Sequence, residues 1–215
     1  MPRRPKYKIE NVVASVEVDA KIDLNLLARK QRDAEYNPEQ FPGLMLRVKN
    51  PKATILVFNS GRMVITGLRR ESEAERAVEN VVAKIRRAGI PVSGTPKITV
   101  QNIVASGDLH SRVDLDMAQM ALERCLYEPE VFPGLIYRMK VPKAVFLIFS
   151  SGRIVCAGTN KESITRKAIY MLAEHMRSLG LIDNQPSAQQ AAATEKITKI
   201  TKTSKTTKTT PSKSE

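Results

Sequence analysis

A chain of 215 residues with 42% hydrophobic content can bury a core and fold as one or two domains of ordinary size. Its net charge of +13 points to a polyanionic partner. Residues 184–215 hold six Lys and two Glu, so they contribute +4 and leave about +9 on residues 1–183. Cys125, Cys156, His110 and His175 fit no metal-ligand spacing, and both cysteines read as small, buried, reduced residues. The start "MPRRPKYKIE" lacks the apolar stretch of a signal peptide, and no run of about 18 apolar residues occurs, so the chain is expected to stay in the compartment where it is made, with no membrane partner.

In chain order, "IENVVASVEV" (9–18) alternates as a strand, and "LNLLARKQ" (24–31) reads as a short helix. Three strands follow at "GLMLRVK" (43–49), "ATILVFN" (53–59) and "RMVITG" (62–67), the last two joined by a hairpin at Ser60-Gly61. An amphipathic helix comes next. Ser72 and Glu75 suggest a capping box, Ala74, Ala77, Val78, Val81, Val82 and Ile85 its apolar face, and Gly89 its stop. All of this then recurs. Shifted by 91 residues, 36–67 aligns without a gap on 127–158, with 19 of 32 positions identical, "FPGLMLR" falling on "FPGLIYR". Outside that block "NVVAS" (11–15) falls on "NIVAS" (102–106) and Gly89 on Gly180. The second long helix has the apolar line Ile164, Ala168, Ile169, Leu172, Ala173, Met176 and Leu179. Residues 7–95 and 98–182 are therefore read as two copies of one α+β unit, and two copies are too few for a solenoid. The Lys/Thr-rich segment 184–215 has neither helical nor strand periodicity and is expected to be a disordered tail.

The unit carries more apolar surface than it can cover. Side chains alternate along a strand, so Ala53, Ile55 and Val57 face one way and Thr54, Leu56 and Phe58 the other. In the second copy Val145, Leu147 and Phe149 oppose Phe146 and Ile148. One long helix per copy covers one face of an antiparallel sheet, and the other would be polar if it met only water. That open apolar face is bordered by Arg47, Lys52, Arg62, Arg138, Lys143 and Arg153. A protein partner does not require basic flanks, nor a membrane two symmetric copies. The DNA minor groove offers sugars and base edges on its floor between two phosphate rows, which matches both features. Asn11 and Asn102, with Thr66, are placed to meet minor-groove acceptors.

The direct repeat, "YEPEVFPGLIYRM", "FSSGRIVCAG" and the paired "ENVVAS" and "QNIVAS" resemble the TATA-box-binding protein family over about residues 7–182. The resemblance implies a pseudo-symmetric saddle in which the two repeats join one curved, antiparallel ten-stranded sheet, with helices on the convex side and DNA on the concave side. It implies that Phe41 with Phe58, and Phe132 with Phe149, are wedges inserted between base steps, the mode of minor-groove kinking for which this family is itself the type case. It assigns groove-floor contacts to Asn11, Val13, Leu56, Val64, Thr66, Asn102, Val104, Leu147 and Val155, and docking of transcription factor B to Glu128, Glu130 and Val131. RNA polymerase is then an indirect partner, no cofactor is needed, and a homodimer through the apolar face is an option when DNA is absent.

One departure stands out. Ala157 occupies the position where the first copy has Thr66, so the two halves are expected to read DNA unequally. The closely matched copies look archaeal, which implies a cytoplasmic, nucleoid-associated protein; a eukaryotic one would be nuclear. Two other classes are weighed against this. An enzyme using the saddle as an accessory domain, as some DNA glycosylases do, needs a catalytic domain for which nothing outside 7–182 leaves room. A β-platform for protein interaction or dimerisation would use the apolar face without DNA.

Overall fold

The computed structural model describes residues 3–182, so the Lys/Thr-rich segment lies outside the described residues. The first repeat comprises β1 (Lys6–Asp19), α1 (Leu24–Lys30), β2 (Ala34–Glu35), β3 (Leu44–Lys49), β4 (Lys52–Val57), β5 (Arg62–Leu68) and α2 (Ala74–Arg87). The second comprises β6 (Ser93–Asp108), α3 (Leu115–Ala121), β7 (Cys125–Leu126), β8 (Gly134–Met139), β9 (Ala144–Phe149), β10 (Arg153–Thr159) and α4 (Glu162–Ser178). All ten strands form a single antiparallel sheet in the order β2-β3-β4-β5-β1-β6-β10-β9-β8-β7. The long strands β1 and β6 pair at its centre, so the pseudo-twofold axis passes between them.

Strand alternation sends one set of side chains to the helices. Val12, Val16, Ile55, Val57, Met63 and Ile65 pack with Leu24, Leu27, Val78, Val81 and Ile85 in the first repeat. Leu135, Phe146, Ile148, Ile154 and Cys156 pack with Leu115, Ala168, Ile169, Leu172 and Met176 in the second. Burial pushes the Cys156 thiol up to about 12, so that cysteine behaves as a small apolar residue. Cys125 is only half-buried, against expectation, because it lies on the short edge strand β7.

The helix ends follow local chemistry. Asp23 accepts the Leu26 N–H at 2.9 Å and Asp114, its counterpart, that of Met117 at 3.0 Å, each capping a short helix. The Ser72–Glu75 box does not form. A 3-10 turn at Glu71–Glu73 precedes α2, and Glu73 reaches back to the Arg69 and Arg70 N–H groups. Glu71 and Glu162 instead cap across the repeats, each carboxylate accepting the other residue's N–H, at 2.6 and 3.1 Å. Both long helices stop in the same motif. Ile90 donates to Ile85 and Gly89 to Arg86, while Leu181 donates to Met176 and Gly180 to Arg177, with Gly89 at φ +89° and Gly180 at φ +71°. Leu179 is 39% exposed and leaves the predicted apolar line, because it sits at the C-cap where the helix turns away. At the other end of α4 Ile164 is only half-buried and Thr165 is buried beside it, its hydroxyl 2.6 Å from that of Thr159 and donating to the Lys161 carbonyl.

Candidate nucleic-acid interface

The concave face is built by register. Met45, Leu56, Val64, Ser15 and Thr99 lie on successive paired positions across β3, β4, β5, β1 and β6. Ile136, Leu147, Val155, Ser106 and Lys8 do so across β8, β9, β10, β6 and β1. Val13 pairs with Asn102 and Asn11 with Val104, which closes the floor at its centre. Val13, Leu56, Val64, Val104, Leu147 and Val155 are all half-exposed while their strand neighbours are fully buried. Among the described residues the sheet therefore has a covered apolar face and an uncovered one. Alternation alone showed the imbalance, but Met45 and Ile136 join these rows only through the strand register.

A phenylalanine pair stands at each end. The ring centroids of Phe41 and Phe58 are 5.9 Å apart at 65°, and those of Phe132 and Phe149 are 5.9 Å apart at 64°. The edge-to-face arrangement is favourable and holds both rings at the lip. The glycine of each Phe-Pro-Gly turn serves the close approach. A Cβ on Gly43 would come within 2.6 Å of Phe41 and 3.0 Å of Phe58; on Gly134, within 2.7 Å of Phe132 and 3.0 Å of Phe149. The preceding turn is pinned by the Phe41 N–H on the Asn37 carbonyl and the Phe132 N–H on that of Glu128. In the second turn Glu128 and Glu130 are exposed and Val131 is 80% exposed.

The central amides are oriented by backbone. Asn11 Oδ1 accepts the Gly67 N–H at 2.7 Å and Asn102 Oδ1 that of Gly158 at 2.9 Å, which fixes each amide flip. The Asn11 NH2 also lies 3.2 Å from the Thr66 hydroxyl, whereas Asn102 has Ala157 at the matching position. The six bordering cations are all exposed and share strand parity with the open face. Arg47 is ion-paired to Glu35, and Arg62 lies 3.7 Å from Glu17. Arg138 and Arg153 form no salt bridge in the described structure, because Leu126 replaces Glu35 and Asp108 turns to the His110 N–H at 2.7 Å. Glu10 is held below the usual carboxylate range, first by the Ser106 hydroxyl and then by Lys8 and Arg69.

His110, just beyond β6, has a side chain only 9% exposed, with no partner for Nε2 among the described residues. Burial lowers its pKa below the ordinary 6.5; Arg3 and Lys6 act in the same direction and Asp108 opposes them. The unfolded chain therefore binds a proton that the folded chain refuses in the window just below 6.5, and stability falls as pH drops through it. Urea unfolding at pH 7 and pH 5 checks this. His110→Asn, which tolerates the local φ of +59°, should lose less stability over that interval than the natural chain; an equal loss assigns the effect to other groups.

An open antiparallel saddle with an uncovered apolar floor, mirrored aromatic lips and a cationic border defines a two-repeat β-platform built to lie on an extended ligand. The family model described as transcription factor TFIID, or TATA-binding protein, matches residues 6–88 and 97–179. The chain belongs to that family. It is 47% identical over 178 residues to a TATA-box-binding protein of Pyrobaculum islandicum, covering 83% of this chain and 89% of the relative. It is 49% identical over 181 residues to that of Archaeoglobus fulgidus, covering 82% and 98%. Among solved structures it matches Methanococcus jannaschii TBP with a TM-score of 0.73 and 40% identity, over 80% of this chain and 99% of the other.

Proposed function

We propose that the chain is a general transcription factor that binds a T·A-rich promoter element from the minor-groove side, bends it, and recruits transcription factor B and, through it, RNA polymerase. The observation that carries this reading is the apolar floor ended on both sides by a phenylalanine pair and bordered by cations. Apolar wedges at the ends of a minor-groove site unstack a base step at a cost of about a few kcal/mol each, and the bent duplex gains contact with the whole floor. T·A-rich steps unstack readily, so deformability supplies selectivity that the degenerate groove pattern does not. Glu128, Glu130 and Val131 form the docking patch for transcription factor B. Two carboxylates would repel phosphate, so a protein partner suits that exposed turn better than DNA does. With no duplex bound, the same floor is open to a second copy of the chain.

Fluorescence anisotropy with T·A-rich and G·C-rich duplexes over a salt series tests the reading. Affinity should favour the T·A-rich duplex, and log K should fall linearly with log salt at about −0.9 per neutralised phosphate. The four cations with no carboxylate partner among the described residues (Lys52, Arg138, Lys143, Arg153) and all six together bracket the slope between about −3.5 and −5.5. Salt-independent binding, or equal affinity for both duplexes, would count against the proposal.

A further inference from the structure

Positions where the two repeats differ on the open face mark where the two halves of a bound duplex meet different chemistry. One such row crosses three strands in each repeat. In the first repeat Arg47, Thr54 and Thr66 occupy paired positions on β3, β4 and β5; in the second the same positions on β8, β9 and β10 hold Arg138, Val145 and Ala157. The Thr66 hydroxyl engages Asn11, and the Thr54 hydroxyl, on the half-exposed side of β4, makes no hydrogen bond in the described structure. In the second repeat the uncharged polar group left beside Ala157 is Asn102. Its Oδ1 is taken by the Gly158 N–H, so only its NH2 faces outward, as a donor.

The minor groove of A·T and T·A pairs presents acceptors alone, and a G·C pair adds the 2-amino donor of guanine. A hydroxyl donates or accepts as its partner requires, so Thr54 and Thr66 can receive that amino group. Val145 and Ala157 cannot, and the Asn102 NH2 meets it donor against donor. Glu10, the carboxylate beside the floor, is already engaged through one oxygen by Ser106 and through the other by Arg69. We infer that the interface is selective in halves: the second repeat restricts its half-site to A·T and T·A pairs, while Thr54 and Thr66 let the first repeat accept a pair carrying a minor-groove amino group. The inference rests on the DNA reading proposed above and specifies which repeat supplies its stringency.

The test uses a pseudo-palindromic T·A duplex in which 2,6-diaminopurine replaces adenine in one half or in both. That base adds the minor-groove amino group and keeps the major-groove edge of adenine. The natural chain can turn to set a single modified half over its first repeat, so it should bind singly modified duplexes within about threefold of the unmodified one. The doubly modified duplex should lose about tenfold or more, the consequence of a buried donor left unpaired. Relative to its own affinity for unmodified DNA, Thr54→Val with Thr66→Ala should lose about tenfold on a single modified half. Val145→Thr with Ala157→Thr should restore binding to the doubly modified duplex, and thermal melts establish that both variants fold. An equal loss by the natural chain and Thr54→Val/Thr66→Ala on one modified half overturns the inference, as does failure of Val145→Thr/Ala157→Thr to rescue. Failure to bind the unmodified duplex overturns the proposed function, and this inference with it.

Discussion

Replacing Phe132 and Phe149 together with alanine should abolish the bend at one end of the bound element, read as the loss of energy transfer between dyes on the two duplex ends. The rings stand at the lip 5.9 Å apart, held by each other and by the room Gly134 leaves, and neither is fully buried in the free protein. Their removal therefore costs the fold little and the complex much. Burying a phenylalanine is worth roughly 1.5–3 kcal/mol, so two rings withdrawn from a base step cost at least about 3 kcal/mol, or about 100-fold in affinity. Phe41→Ala with Phe58→Ala should act likewise at the opposite end. Unchanged energy transfer in either double variant would remove the wedge role from that pair.

The phenylalanine pairs show what a sequence of this kind discloses. The repeat at an offset of 91 is strong enough to give the element order, both long helices and both glycine stops, since identical local chemistry folds identically twice. The apolar imbalance was also legible, because alternation along Ala53–Phe58 needs no partner strand to be recognised. Register was not. That Thr54 lies beside Thr66 and Val145 beside Ala157 depends on pairing between strands joined by turns whose length alone does not fix it. Charge pairing was equally hidden: Arg47 and Arg138 look equivalent in sequence, yet among the described residues only the first has a carboxylate on the neighbouring edge strand. The two-residue strands β2 and β7 are too short to carry any period. The Ser72–Glu75 box failed because a 3-10 turn shifts the start of α2 and gives Glu73 the shorter reach to the preceding backbone.

Gly152→Ala should be among the most destabilising single substitutions in the second repeat, and it should disturb the lip as well. Two effects add at this position. Its φ of +84° lies where any side chain is strained, at about 1–2 kcal/mol. A Cβ there would also stand 1.9 Å from the Ser111 carbonyl oxygen, a backbone atom that cannot swing aside as a side chain would. That backbone is tied down on both flanks, since the Leu109 N–H donates to the Gly152 carbonyl and the Val113 N–H to that of Ser150. The hairpin must therefore shift as a unit, and the total cost should reach about 3 kcal/mol or more. Gly180 supplies the comparison. It has a similar backbone at φ +71° and, among the described residues, nothing within 4 Å of an added Cβ, so Gly180→Ala should cost only the strain, about 1–2 kcal/mol. Urea midpoints of the two variants separate crowding from conformation; equal costs would mean that the hairpin yields freely. The same hairpin carries Phe149 and Arg153 on either side of Gly152, and the Gly152 N–H closes it on the Phe149 carbonyl at 2.8 Å. Whatever fraction of Gly152→Ala remains folded should therefore bind DNA more weakly than Gly180→Ala, because Phe149 and Arg153, proposed above as a wedge and a phosphate contact, move with the turn.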